Sequence, residues 1–264
     1  MERDELLLLS DLNLAEALRE SARSSGGSIL EGEGYLLTAG PGAHPMLNNA
    51  LRLDPSLDAS AFMQRTRRFY GERGHGYSLT LREHVADADL AKAAQEAGLS
   101  PTLEPPAMVV QQRLEDVAPP DGAVLRRVVD TRGASDFRNV AAEAWSSYGI
   151  PPSITASVFS REELLLLPHA VAVVAYVDKT PLAAAMMFLS HGIAGIYWVS
   201  SVSHARGRGL GEACTRAVTN AGFDLGARAV VLQASPMGDA IYRRMGYAEI
   251  SKYRLFWCLA AESA

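Results

Sequence analysis

The sequence predicts an α/β (α+β) protein built of two mixed-sheet units that are flanked by helices. The chain has 264 residues, of which 48% are hydrophobic and 21% charged, and this is enough for two units with buried cores. Helical and strand-like segments alternate along the second half. A turn-rich stretch, 117–122, separates the halves. We therefore expect one domain over 1–118 and another over 123–264.

Charge is distributed unevenly between the two halves. Residues 1–122 carry 11 basic and 19 acidic side chains, whereas residues 123–264 carry 14 basic and 11 acidic ones. The net charge of −5 argues against general nucleic-acid binding. An anionic ligand would be better received by the second half.

Cysteine content and the N-terminal sequence exclude several classes of protein. The two cysteines, Cys214 and Cys258, do not make a disulfide framework or a metal site. The N-terminus is acidic, and the leucine run 6–9 is too short for a signal sequence or a membrane span. We expect a cytoplasmic protein that binds no metal, membrane or nucleic acid. The oligomeric state stays open, with a homodimer as one alternative.

The second half begins with a helix and three strands. Apolar residues recur at helical spacing over Thr131–Tyr148, and Gly149 with two prolines ends that helix. Two apolar runs, Ala170–Val177 and Leu182–Leu189, flank a turn and predict a β-hairpin. Ile193–Val202 is predicted as the third strand.

Two helices and two strands complete the second half. A single apolar stripe predicts a helix over about Gly209–Leu225, and the apolar run Ala229–Gln233 predicts a strand. Ser235, an N-cap residue followed by proline, predicts the start of a helix that ends at Met245. The final strand is predicted over Tyr247–Cys258.

The first half has weaker patterns. They predict helices over Asp4–Ser24, Asp58–Tyr70 and Asp87–Ala97, and strands over Gly34–Ala39, Gly76–Leu81 and Pro106–Gln112. The order strand, helix, glycine, strand ends both halves, which suggests an internal duplication. The alternative is that two unrelated α/β units share this order by chance.

The segment after the third strand of the second half has a composition that binds phosphate. It contains Arg206-Gly-Arg-Gly-Leu-Gly211, in which three glycines let the backbone direct N–H groups into one small volume. The following helix adds its unpaired N–H groups and the positive end of its dipole. The segment lacks the lysine of a P-loop and the third glycine of the dinucleotide fingerprint.

The pattern R-x-x-G-x-G formed by Arg206, Gly209 and Gly211 resembles the pyrophosphate site of the GNAT (Gcn5-related N-acetyltransferase) superfamily. A second segment, Gln233–Tyr247, resembles the closing strand, helix, tyrosine and glycine–aromatic pair of that family. The resemblance covers about Ala123–Leu259. It implies that the first half is a degenerate GNAT-like unit, as in tandem proteins such as mycothiol synthase.

The resemblance implies an acetyl-CoA-dependent N-acetyltransferase. The glycine turn would hold the pyrophosphate, the end of the preceding strand would pair with the pantetheine arm, and the serine after the next strand would border the thiol. The residues implied to bind the cofactor are Ser201, Val202, Arg206, Gly207, Arg208, Gly209, Leu210, Gly211 and Ser235.

The same resemblance gives Tyr242 a catalytic role. Its phenol would lie beside the sulfur and protonate the leaving thiolate. A backbone N–H of the strand before the glycine turn would stabilise the oxyanion, and Val202 is the expected donor. That strand has no Asp or Glu, so the general base is not identified. His191, His204, a water chain or an already deprotonated amine are the alternatives.

Aromatic residues are expected to line the pocket for the acyl acceptor. Trp145, Tyr148 and Tyr197 are the candidates, together with Trp198. Strand alternation puts Tyr197 and Trp198 on opposite faces, so that at most one faces the cleft. Each of these aromatics is as compatible with an ordinary core position.

The expected reaction is direct acetyl transfer to a primary amine, in a small molecule or a peptide, within a ternary complex. Cys214 is predicted to be buried, so we expect no acyl-enzyme. The alternative function is a non-catalytic acyl-CoA-binding regulatory module. The missing strand carboxylate favours that alternative, whereas the presence of Tyr242 argues against it.

Overall fold

The computed structural model describes residues 1–260. In the first half it has helices α1 (Arg3–Ser24), α2 (Ala59–Gly71) and α3 (Ala88–Glu96), and strands β1 (Ser28–Gly32), β2 (Tyr35–Ala39), β3 (Asn48–Arg52), β4 (Tyr77–Arg82), β5 (Pro101–Leu103) and β6 (Pro106–Val110). No helix of the described residues has the length and apolar character needed to cross a membrane.

The second half has a similar alternation of helices and strands. The helices are α4 (Thr131–Ser146), α5 (Pro152–Val158), α6 (Glu163–Leu166), α7 (Leu210–Asp224) and α8 (Asp239–Arg244). The strands are β7 (Ala123–Arg127), β8 (Ala170–Val177), β9 (Thr180–Ser190), β10 (Ile193–Ser201), β11 (Val230–Gln233) and β12 (Ala248–Cys258). This arrangement confirms the predicted α/β class.

Several short elements are absent from the sequence prediction: β1, β3, β5, β7, α5 and α6. Strand β3 illustrates the reason, because it buries the polar residues Asn48 and Arg52 completely. A search for apolar runs assigns such residues to the surface. Their burial depends on partners that are distant in sequence, so the local pattern contains no sign of the strand.

The predicted start of α8 is wrong by about one turn. The helix begins at Asp239, and Gly238 occupies its N-cap position. The hydroxyl of Ser235 accepts a hydrogen bond from the backbone N–H of Gly238 at 3.3 Å. Ser235 therefore caps a separate turn that precedes the helix.

One continuous twelve-stranded sheet runs through the described residues in the order β1-β2-β3-β4-β12-β6-β11-β10-β9-β8-β7, and β5 also pairs with β12. The last strand, β12, is antiparallel to β4 of the first half, and β6 is antiparallel to β11 of the second. β12 and β6 also pair with each other. Each half thus completes its sheet with a strand from the other, and the predicted division at 118–123 stays a prediction.

The two halves have corresponding topologies on either side of this exchange. In the first half, α2 connects the parallel strands β3 and β4; in the second, α7 connects the parallel strands β10 and β11. Each pair is followed in the sheet by an antiparallel strand from the other half. An internal duplication would produce this correspondence.

A buried polar cluster fixes α1 to β12, which is called the exchanged strand because it belongs to the second half and pairs with β4 of the first. Both carboxylate oxygens of Asp11 are used: one accepts from Arg82 at 2.8 Å and contacts His84 at 3.1 Å, and the other accepts from the hydroxyl of Tyr253 at 2.7 Å. Asp11, Arg82 and Tyr253 are all buried. Since Tyr253 lies on β12 and Arg82 on β4, the cluster joins both halves.

We expect Asp11→Asn to lower the free energy of unfolding by about 3 kcal/mol, because the buried Arg82 loses the nearer of its two carboxylate partners. Urea denaturation measures the change. The matched control is Glu5→Gln on the same helix, which removes an exposed ion pair with Arg228 and should cost less than about 1 kcal/mol. Equal effects of the two substitutions would contradict the importance of the cluster.

Candidate active site

A cavity of about 800 Å³ opens where β10 and β11 separate. These parallel strands pair only over Ala194–Ile196 on the β10 side. Directly afterwards, between Tyr197 and Ser200, the register of β10 against β9 shifts. Trp198, inside this bulge, has a left-handed backbone conformation with φ of +57°. The bulge therefore turns the end of β10 away from β11 and leaves a cleft between them.

The cavity is bordered by both halves of the chain. The first half contributes residues of α1, β2 and the segment between β5 and β6, and the second contributes residues of α4, β10, β11 and α8. Tyr242 lines it from α8, together with the predicted residues Trp145, Tyr148, Tyr197 and Ser235. The predicted residues of the glycine turn lie outside it, beyond the end of β10.

The expectation that at most one of Tyr197 and Trp198 faces the cleft is wrong, because both line the cavity. Strict alternation of side chains holds only for a regular strand. The bulge inserts an extra residue, and the positive φ of Trp198 reorients its side chain. No local pattern in the sequence announces this irregularity.

Three aromatic rings and a hydrogen bond fix one wall of the cavity. The indole N–H of Trp145 donates to the hydroxyl of Ser200 at 3.1 Å, which connects α4 to β10. The ring of Trp198 lies 5.1 Å from both Trp145 and Phe159, measured between ring centroids. The bulged residue is therefore held in place by packing on both sides.

Tyr197 is held by a residue of the first half. Its hydroxyl donates to the side-chain oxygen of Asn13 at 2.8 Å, and the amide of Asn13 donates to the carbonyl of Phe188 at 3.0 Å. A Cβ at Gly195 would lie 2.0 Å from the Asn13 oxygen, so only glycine permits this close approach. The ring of Tyr197 faces the cavity while its hydroxyl serves to dock α1.

Tyr242 presents a protonated phenol to the cavity. The residue is 7% exposed, and burial raises the pKa of its hydroxyl well above the usual value, with the hydroxyl of Thr215 opposing part of the change. Gly238 makes room for the ring, since a Cβ there would lie 2.6 Å from a ring carbon. At neutral pH, Tyr242 can therefore donate a proton but not accept one.

Tyr148 and Ser235 bridge the mouth of the cleft. The hydroxyl of Tyr148, just after α4, donates to the hydroxyl of Ser235 at 3.2 Å. Tyr148 is 41% exposed, so this hydrogen bond lies at the surface. A ligand that enters between β10 and β11 would meet these two side chains.

The glycine turn has the backbone conformation of an anion-binding loop. Gly207 and Gly209 both have φ of +75°, which other residues adopt only with strain. Gly209 is the N-cap of α7, and no side chain caps the helix. The N–H groups of the first turn of α7 are therefore available to a ligand.

The two arginines of the turn have different surroundings. The guanidinium of Arg206 donates to the carbonyl of Ala144 at 3.1 Å and to the hydroxyl of Ser147 at 2.6 Å, so it fastens the turn to the end of α4. Arg208 is exposed and forms no ion pair or side-chain hydrogen bond within residues 1–260. Arg208 is thus the side chain that can meet a phosphate.

Val202 cannot act as the expected oxyanion donor. Its backbone N–H donates to the carbonyl of Leu182 at 3.0 Å. The carbonyl of Ser201 in turn accepts from Arg206 at 3.4 Å. Trp198 and Val199, which lie in the bulge, line the cavity instead. Sequence reasoning missed Val199 because a bulge changes which residues face the cleft.

The histidines considered as general bases lie away from the cavity. His204 is exposed and sits 3.7 Å from the carboxylate of Glu143, and His191 lies in the β9–β10 turn. Neither lines the cavity. Within residues 1–260, no cluster of three His, Cys, Asp or Glu side chains is placed to hold a metal ion.

Solved structures share this architecture over nearly the whole chain. A GCN5-related N-acetyltransferase from Kribbella flavida superposes with a TM-score of 0.70 and 21% identity, over 92% of this chain and 93% of that one. The chain has the GNAT fold. No family model matches the sequence, and no curated protein sequence matches it either.

Two further structures extend the comparison. A GCN5-related N-acetyltransferase from Sphaerobacter thermophilus has a TM-score of 0.62 at 15% identity, over 89% of this chain and 84% of that one. A tandem GNAT protein from the clavulanic acid biosynthesis pathway has a TM-score of 0.59 at 13% identity, over 87% and 79%. The GNAT fold predicted from Arg206–Gly211 and Gln233–Tyr247 is thereby confirmed.

We expect only one of the two cysteines to react with a thiol reagent in the folded protein. Burial raises the pKa of Cys214 to about 12, so its thiol stays protonated and shielded at pH 8, whereas Cys258 is partly exposed. Titration with Ellman's reagent should count one thiol natively and two in denaturant. Cys258→Ser should abolish the native reaction, and Cys214→Ser should leave it; a rapid second thiol would contradict the burial of Cys214.

Proposed function

We propose that the protein is an acetyl-CoA-dependent N-acetyltransferase that acylates a primary amine by direct attack. The observation that carries the proposal is the position of Tyr242 in the cleft between β10 and β11. A glycine turn whose helix has no side-chain cap lies at the end of β10. Tyr242 on α8 would serve the sulfur, and the glycine turn after β10 would hold the pyrophosphate. The GNAT fold supports acyl transfer.

The turn and the cleft fit the two ends of acetyl-CoA. Backbone N–H groups of Gly207–Gly211, including Leu210, would bind the pyrophosphate, and Arg208 would add a charge-assisted contact. The pantetheine arm would enter the cleft beside Ser201 and Ser235. Arg206 would contribute by holding the turn against α4, since its side chain is already paired there.

The chain's own groups can carry the transfer. The amine nitrogen would attack the thioester carbon, and backbone N–H groups of the bulge at Trp198 and Val199 would stabilise the oxyanion. As the carbon–sulfur bond breaks, Tyr242 would donate its proton to the thiolate. The nitrogen then loses a proton to water, and the phenolate of Tyr242 regains a proton from water. Cys214 is buried outside the cavity, so no acyl-enzyme forms.

A non-catalytic acyl-CoA-binding module is the second candidate. It is favoured by one observation, the absence of Asp and Glu from β10. Such a module would bind acetyl-CoA without releasing coenzyme A in the presence of any amine. Measuring both binding and release therefore separates the two functions.

Acetyl-CoA binding tests the cofactor site. We expect calorimetry to detect binding by the wild-type protein, about tenfold weaker binding by Arg208→Glu because a phosphate contact is lost, and no binding by Gly209→Asp/Gly211→Asp. Arg68→Glu is the control, since it changes another exposed arginine, on α2. Far-UV circular dichroism would verify folding. Absence of binding by the wild type would refute the proposed function.

Tyr242→Phe tests the catalytic acid. We expect kcat to fall about 100-fold while the KM for acetyl-CoA changes little, because the variant loses a proton donor but keeps the ring. Release of coenzyme A with a panel of amines is the readout. Tyr247→Phe is the control, because that buried phenol bonds to Thr219 outside the cavity. Equal rates for wild type and Tyr242→Phe would exclude the acid role.

A further inference from the structure

We propose that the acyl acceptor is a primary amine attached to a bulky apolar group, and that Glu104 of the first half binds it as the ammonium, which releases one proton to water before the neutral nitrogen attacks the thioester. This inference rests on the proposed acetyl transfer and gives it a substrate class. It assigns to the first half a direct role in selecting the acceptor. Glu104 would act as a specificity-determining residue.

The charges that line the cavity are of one sign. Glu104 and Asp239 are its only charged lining residues among those that the structure describes, and no lysine, arginine or histidine borders it. A cationic group is therefore the ionic partner that this cavity can accommodate. A carboxylate on the ligand would be repelled by these negative charges, and no basic side chain of residues 1–260 lines the cavity to offset the repulsion.

Only one of the two carboxylates is available. Asp239 accepts hydrogen bonds from the guanidinium of Arg243 with both oxygens, at 2.9 and 3.2 Å. Glu104 forms no ion pair within residues 1–260. The negative charge of Asp239 is thus balanced inside the protein, whereas that of Glu104 is free to pair with a ligand.

The backbone beside Glu104 is hydrogen-bonded to the second half of the chain. The carbonyl of Pro105 accepts from the N–H of Tyr253 on β12 at 3.1 Å, and the carbonyl of Pro106 accepts from the N–H of Ala234 at 3.0 Å. Ala234 leads directly into the turn before α8, the helix that carries Tyr242. Glu104 therefore borders the cavity from a rigid segment, which favours defined recognition over a mobile surface charge.

The rest of the wall is suited to an apolar body. In the first half, Met46, Leu47 and Leu103 line the cavity, and Leu255 and Trp257 of the exchanged strand β12 continue this surface. The volume of about 800 Å³ is within the range of pockets that enclose drug-sized ligands. A small polar amine would leave this apolar wall in contact with water.

Two probe amines that share one apolar body test the proposal on the intact protein. Phenethylamine carries the ammonium alone, and phenylalanine carries a carboxylate in addition. Ethanolamine, a small polar amine, is the third compound. We expect the wild-type kcat/KM for phenethylamine to be at least tenfold higher than the value for phenylalanine and at least tenfold higher than the value for ethanolamine. Comparable values for the three amines would overturn the proposed substrate class.

Glu104→Gln tests the recognition residue against a matched control. We expect its KM for phenethylamine to rise roughly tenfold, the lower end of what a hydrogen bond to a charged group contributes, with kcat and the Kd for acetyl-CoA unchanged. Glu33→Gln removes another exposed carboxylate that forms no ion pair in the described residues and lies outside the cavity, and should behave as wild type.

The acetyl-CoA titration separates the two proposals. If acetyl-CoA fails to bind to the wild type, the proposed function itself is wrong. If acetyl-CoA binds and phenethylamine is acetylated with the same KM by wild type and Glu104→Gln, the assignment of Glu104 is overturned. Loss of acetyl-CoA binding in Glu104→Gln would also overturn it, because the residue would then act on the cofactor or the fold.

Discussion

The exchange of strands β6 and β12 is the constraint on which the rest of the structure depends. Because β12 pairs with β4 and β6 pairs with β11, neither half has a complete sheet without the other. The cavity lies against this junction, and its apolar wall includes Leu255 and Trp257 of β12. The exchange thus creates a cleft whose two sides come from different halves of the chain.

A single local irregularity then defines the reactive end of that cleft. The pairing of β10 with β11 ends just before the bulge at Trp198, and Tyr197, Trp198 and Val199 line the cavity there. Packing of Trp145 and Phe159 on Trp198 stabilises the left-handed backbone. Such strain persists where the surroundings hold it, and it is concentrated at functional sites.

Local patterns were sufficient for the fold class, the main helices and strands, and the glycine turn. Each of these is encoded by neighbouring residues, such as the apolar stripe of α7 or the spacing of Gly207, Gly209 and Gly211. The strand exchange, the bulge and the pairing of Arg206 with α4 depend on partners far along the sequence. For the same reason, the sequence does not reveal that the Val202 N–H, the expected oxyanion donor, already donates to the carbonyl of Leu182.

The exchanged strands also determine when this protein can fold. β12 begins at Ala248, far along the chain from β4, so β4, with its outer neighbours β3, β2 and β1, lacks a partner on its inner edge until the second half has been synthesised. Contacts so distant in sequence are slow to form, and an unpaired β4 edge is open to pairing with other chains in the meantime. The nascent chain therefore passes through an aggregation-prone stage, and shielding by a chaperone would matter most before β12 has emerged from the ribosome.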